Sequence, residues 1–165
     1  MDDRDRGFAE YFAARSGAMR GTAFLLCGDW HRAEDLVQTS FVKLYRVWNR
    51  ISEHGKLDAY TRQILVRTFL DETRRGFFRR EQVTDEPGDW AAPAQGSPED
   101  RMVLLRALAR VPARQRAALV LRYWEDLSLE ETARALKCST GTVKSQASRG
   151  LVNLRALLPA TTAAL

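Results

Sequence analysis

Leu127–Arg155 reads LSLEETARALKCSTGTVKSQASRGLVNLR, and this stretch decides the fold. Ser128 with Glu131 three residues later forms an S-x-x-E capping box, the signature of a helix start. Leu129, Ala133 and Leu136 then recur at helical spacing on one face. Cys138 and Ser139 predict a turn, after which Ser139 or Thr140 caps a second, longer helix. On that helix Val143, Ala147, Leu151, Leu154 and Leu158 share one stripe, and Lys144, Ser145, Ser148, Arg149 and Val152 lie roughly opposite. A helix-turn-helix needs this division: one face packs on its own domain, the other reaches base edges and phosphates in a major groove.

An ordinary helical hairpin is the bland competitor. Small residues at Ala133 and Gly141, placed where the two helices are expected to cross closely, and the basic exposed face favour DNA reading over it. The motif alone separates neither a repressor nor a response-regulator output domain from a sigma factor.

Outward from this stretch the text is helical nearly throughout, with no useful period-two alternation. Phe8–Leu26 predicts a first helix that ends at Gly28, and Asp29 caps a second over about Trp30–Trp48. Asn49–Lys56 is polar and holds Gly55, so it reads as a loop. Leu57–Arg75 predicts a third helix, with Ile64, Leu65, Thr68 and Phe69 inward and an arginine cluster at its end (Arg74, Arg75, Arg79, Arg80). From Glu81 to Pro98 the composition shifts to EQVTDEPGDWAAPAQGSP, whose prolines, glycines and acids predict a flexible acidic linker. Helices are then expected at about Pro98–Arg110 and Pro112–Trp124. The expected fold is all-α: two small helical domains over residues 1–80 and 99–165, joined by a linker over 81–98.

Charge follows the same division. The 165-residue chain carries a net +5, with a sequence pI near 9.6, which leans toward a polyanionic partner. Residues 1–80 hold 15 basic and 11 acidic side chains, residues 101–165 hold 11 and 4, and residues 81–100 hold six acids and no base. With 45% apolar residues a packed core is expected. Two distant cysteines, Cys27 and Cys138, indicate neither a disulfide framework nor a zinc site. The charged start MDDRDRGF is unlike a signal peptide, and no run approaches a membrane span, so a cytoplasmic protein is expected. Cys27, His31, Glu34 and Asp35 mimic metal ligands, but Gly28 interrupts them. Neither a phosphate-binding glycine loop nor a nucleophile elbow occurs, so no cofactor and no catalytic site are expected.

Two further constellations stand out. In the second helix Phe41, Tyr45 and Trp48 are too many for one narrow stripe, which suits either a fully packed helix or a docking face of aromatic anchors rimmed by polar residues. Around the loop, Trp48, His54, Lys56, Tyr60, Arg62 and Arg67 mix rings and cations, as a surface for single-stranded nucleic acid does, or core rings with solvated charges.

With these motifs placed, AEDLVQTSFVKLYRVW (33–48), AYTRQILVRTFLDETRR (59–75) and the segment from Leu108 to Arg155 resemble an extracytoplasmic-function (ECF) sigma factor, the smallest class of bacterial sigma factor. The pairing of A-E-D-L-V-Q with G-T-V-K-S at this separation carries the resemblance, which spans most of the chain. It implies a dissociable promoter-specificity subunit of core RNA polymerase, not an enzyme by itself. Asp35, Leu36, Gln38 and Phe41 would dock on the polymerase β′ clamp helices, and the β flap is a further expected partner surface of core polymerase. Asn49, His54, Lys56, Tyr60, Arg62 and Arg67 would melt and hold the single-stranded −10 element. Thr140, Thr142, Lys144, Ser145, Ser148 and Arg149 would read the duplex −35 element. An anti-sigma factor is an expected partner, and the acidic strap would thread toward the polymerase channels. Arg67 stands where the family pattern has asparagine, and Gln146 where it has arginine. A helix-turn-helix repressor or activator, binding duplex DNA unaided, and a protein-interaction module remain the other classes.

Overall fold

A computed structural model describes residues 1–51, 54–76 and 97–160. The expected linker lies outside these residues except for its last two, Ser97 and Pro98; Arg79 and Arg80 also lie outside them.

The N-terminal unit is a three-helix packing of α1 (Asp3–Cys27), α2 (Trp30–Val47) and α3 (Leu57–Arg74). α1 begins five residues before its apolar periodicity does. The Asp2 carboxylate accepts from the Asp5 amide at 2.8 Å, so a side-chain cap carries the helix through the charged start. Gly28 sits in the left-handed region (φ 75°) and its N–H donates to Phe24, which closes α1 as expected from sequence. One residue later Asp29 caps α2 through the Arg32 amide at 3.1 Å. This short corner makes α1 and α2 antiparallel neighbours.

Between them lies an aromatic seam. Phe8 meets Phe41, Tyr45 and Trp48 edge-on at 6.1, 5.0 and 5.4 Å between ring centres. Such pairs add roughly 0.5–1.5 kcal/mol each beyond burial. Leu26, Leu36, Leu44, Leu65, Val66 and Phe69 fill the space beneath α3. The stretch expected as a loop contains two single 3-10 turns, Trp48–Arg50 and His54–Lys56.

The C-terminal unit holds α4 (Pro98–Ala109), α5 (Ala113–Leu119), α6 (Leu129–Leu136) and α7 (Thr140–Leu157). Ser97 and Asp100 form a reciprocal capping box, so the last two residues of the expected linker open α4 instead. The expected Pro112–Trp124 helix changes pitch: after α5, Val120–Trp124 widens into a π-helical turn. Asp126 follows in a left-handed conformation (φ 53°), and the Glu125 N–H returns to Val120 at 3.0 Å. Ser128 and Glu131 form the expected capping box at the start of α6. The turn of the motif is made by Lys137, left-handed at φ 55°, which the sequence did not mark with a glycine.

Val143 and Ala147 face inward on α7 as expected, while Leu151, Leu154 and Leu158 are only partly covered. The close crossing falls at Gly150, not at Gly141. A Cβ on Gly150 would meet the Leu119 side chain at 3.0 Å and the Gln115 carbonyl at 3.3 Å, whereas Gly141 is exposed. α5 and α7 approach here because nothing projects from position 150.

The two units pack on one another. Arg116, 2% exposed, donates to the Leu26 carbonyl at the end of α1, and to Ala109 and Val111 at 3.0 and 2.7 Å. Its guanidinium also lies 5.8 Å from the centre of the Phe69 ring. One buried cation thus gathers the carbonyl ends of α1 and α4, where the helix dipoles favour positive charge.

Candidate nucleic-acid interfaces

Surface position on α7 follows from its inward stripe. With Val143, Ala147 and Gly150 buried, Thr140, Thr142, Lys144, Ser145, Ser148 and Arg149 all project outward. Ser139 caps the helix by accepting from the Thr142 amide at 3.1 Å, and its hydroxyl also meets that of Thr142 at 3.0 Å. A cluster of hydroxyls at the helix N-terminus, followed by Lys144 about one turn on and Arg149 more than two turns on, suits phosphate at the N-terminus and base edges along the face. Val152, 64% exposed, continues that face. Gln146 is half-buried and lines a cleft with Arg74, Arg114 and Arg149. Arg114 was missed in the sequence because its nearness to Arg149 depends on how α5 crosses α7.

The second basic surface is the start of α3. Asn49 is exposed in the first 3-10 turn, and Lys56 and Tyr60 are exposed where α3 begins. His54 belongs to the second 3-10 turn. Tyr11 anchors this end: its hydroxyl donates to Asp58 at 2.8 Å and meets Thr61 at 2.9 Å, while Arg15 reaches the same Asp58 oxygen at 3.0 Å. Burial pushes the Tyr11 hydroxyl up to about 12.

Arg62 and Arg67 are not held out to solvent. Arg62 Nε donates to Glu125 Oε2 at 3.1 Å, with side-chain exposures of 14% and 17%, and the Thr22 hydroxyl donates to the other Glu125 oxygen. Arg67 donates to the Ala135 and Arg134 carbonyls at 3.1 and 2.8 Å, at the C-terminal end of α6. Burial lowers the Arg67 guanidinium from its ordinary value. A cleft of about 750 Å³ runs between α3 and α6, with Lys56, Tyr60, Arg62 and Arg67 on one wall and Leu127, Glu131 and Arg134 on the other.

On the N-terminal unit, Asp35 and Gln38 are exposed, but Leu36 and Phe41 are 1% and 3% exposed. The docking expectation for those two is corrected accordingly: they are core residues that hold α2 in place. Apolar surface near Gln38 comes instead from Phe12 and Val42, 38% and 53% exposed, beside a shallow groove floored by Phe8 and Phe41. Val42 lies one turn from Gln38, a helical spacing that the sequence offered.

The fold and these faces define a two-unit, all-helical DNA-reading protein with a helix-turn-helix at its C-terminal end. Residues 12–77 match the family model "Sigma-70 region 2" and residues 101–154 match "Sigma-70, region 4". The chain is 36% identical over 151 residues to the RNA polymerase sigma-E factor of Streptomyces coelicolor, covering 90% of this chain and 84% of that protein. It is 34% identical over 140 residues to the ECF RNA polymerase sigma factor SigE of Mycolicibacterium smegmatis, covering 81% and 54%. The structure resembles that of the sigma factor RpoE in complex with the anti-sigma factor NepR from Bartonella quintana. There the TM-score is 0.73 at 25% identity, over 92% of this chain and 96% of that one. The chain belongs to the sigma-70 family, in its extracytoplasmic-function class. It is a sigma factor, the subunit through which RNA polymerase initiates at particular promoters.

Proposed function

We propose a division of labour within this sigma factor. α7 reads the duplex −35 element through Lys144, Ser145, Ser148 and Arg149, with Thr140 and Thr142 on the backbone. The surface of Asn49, His54, Lys56, Tyr60, Arg62 and Arg67 engages the unpaired −10 strand, whose captured bases offset the cost of unpairing. Asp35 and Gln38, with exposed Val42 and Phe12 beside them, dock on core polymerase at the β′ clamp helices, and the C-terminal unit meets the β flap. The protein works as a dissociable specificity subunit in the cytoplasm, with no catalysis or cofactor of its own.

The observation that carries this reading is the α7 face, which presents six polar or basic side chains to solvent on a helix whose inward stripe is fixed by Val143, Ala147 and Gly150. An anti-sigma factor is a further proposed partner, supported by the solved relative that is bound to one. The test is run-off transcription with purified core polymerase on a pool of genomic promoter fragments. New discrete transcripts that require the chain are expected, and their aligned start sites give both elements. Specific binding of duplex DNA by the chain alone, without new transcripts, would overturn the reading in favour of a conventional regulator.

A further inference from the structure

Val152 is a large apolar side chain left 64% exposed in the middle of the polar face of α7. With Val143, Ala147 and Gly150 buried, the helical period sets the centre of the opposite face at Gly141, Ser145, Ser148 and Val152. Lys144 and Arg149 flank this line on either side, so it lies between two cations that would draw the helix onto a polyanion. Along the line Gly141, Ser145 and Ser148 are small, and Val152 alone is bulky and apolar. A lone exposed valine elsewhere would call for no explanation. Here neither burial nor helix propensity accounts for it, since a β-branched side chain is a poor choice for an exposed helical position. The position is also held firmly. One residue on, Asn153 Nδ2 donates to Gln115 Oε1 of α5 at 2.6 Å, and two residues back Gly150 lies against Leu119. A shallow recess of about 350 Å³ opens beside Val152, lined also by Gln115, Ser148, Arg149 and Asn153.

We propose that Val152 is a specificity-determining residue: its methyl groups pack against the C5 methyl of a thymine in the duplex −35 element. The proposal rests on the assignment of α7 to that element. In the major groove thymine presents an acceptor and a methyl group, and the methyl is sensed by apolar contact. The hydroxyls of Ser145 and Ser148 accept or donate and so suit several base edges, whereas Val152 adds a preference that they lack. A valine on a helix holds one strongly preferred rotamer, so little side-chain entropy is lost when it meets the base. Ser145 and Val152 are seven residues apart, about 10 Å along the helix. Base pairs rise about 3.4 Å each, which puts the thymine about three steps from the base edge nearest Ser145.

The test uses the full chain assembled with core polymerase, and duplexes carrying the −35 element mapped by run-off transcription. Each thymine of the element is replaced in turn by deoxyuridine, which removes the C5 methyl and leaves base pairing intact. Competition fluorescence anisotropy then reports affinity. At one thymine the replacement is expected to weaken binding by the parent about fourfold, the effect of burying one methyl group. At that thymine it should leave Val152→Ala unaffected, while Val152→Ile keeps the sensitivity. Because the side chain is exposed, Val152→Ala should melt at the parent's temperature. An element without thymine, no thymine whose methyl matters to the parent, or an equal loss in the parent and Val152→Ala overturns the proposal. Undiminished duplex binding by Lys144→Ala with Arg149→Ala overturns instead the assignment of α7 to the −35 element, so the two failures are distinct.

Discussion

On α7, Lys144, Ser145, Ser148 and Arg149 face solvent, whereas on α3, Arg62 and Arg67 are turned onto the C-terminal unit. Both surfaces are basic and both stand on rigid helices. In the proposed division of labour the first meets DNA as a preformed face, with only water to displace. The proposed strand contacts of the second would first have to displace the intramolecular acceptors of Arg62 and Arg67. Likeness of composition therefore says little about readiness to bind; what each cation already touches decides it.

The comparison breaks most completely if the shared support is removed. Phe69 is fully buried on the inner face of α3 and its ring lies beneath Arg116, so Phe69→Ala is expected to cost about 3–5 kcal/mol. Thermal and urea unfolding would check this, and a loss well under 1 kcal/mol would mean that the two units do not share this core. Next in size, Arg149→Ala is expected to weaken −35 duplex binding by about 1–3 kcal/mol and relax sequence preference there. In the free chain Arg62→Ala should lose less −10 strand binding than Arg149→Ala loses on the duplex, because Arg62 is already paired with Glu125. Titrations of both variants against matched probes would show the difference.

Smaller effects test the platform of the reading helix. Ser128→Ala removes the cap that receives the Glu131 amide at 3.1 Å and should cost about 1 kcal/mol. The Ser128 backbone N–H and hydroxyl hold the Glu131 carboxyl below its ordinary value. A depressed folded value means that this contribution is complete above the unfolded value of about 4.3 and is lost as pH falls through the folded one. Acid unfolding curves should therefore flatten in Glu131→Gln, which removes the titrating carboxyl, relative to the parent. The smallest effect is a rate: burial pushes the Cys27 thiol up to about 12, and it lies within the field of Arg116 at the seam. Alkylation is expected to reach half-buried Cys138 well before buried Cys27.

Much of this was legible in the residues because it is local. Gly28, Asp29, the Ser128–Glu131 box and the Ser139 cap act within four residues, and the structure places each where its spacing pointed. The exposed face of α7 likewise follows from a helical period. The misses share another cause. Gly150, Lys137 and the π-helical turn depend on how helices cross and chains turn in three dimensions, and periodicity carries no record of crossing. Leu36 and Phe41 belonged to a motif that resembles a docking surface, but a motif marks a helix without saying which of its side chains point outward.

By itself, then, the sequence determined an all-helical fold, the bounds of most helices, the helix-turn-helix and the exposed polar face of its second helix, all through propensity, capping and period. Only the tertiary structure decided that Arg116 gathers the carbonyl ends of α1 and α4, that Glu125 meets Arg62 from 63 residues away, and that Arg67 is spent on α6. The physical reason is separation along the chain: a cap is satisfied by its neighbours, whereas a guanidinium takes whichever acceptor the packing brings within 3 Å.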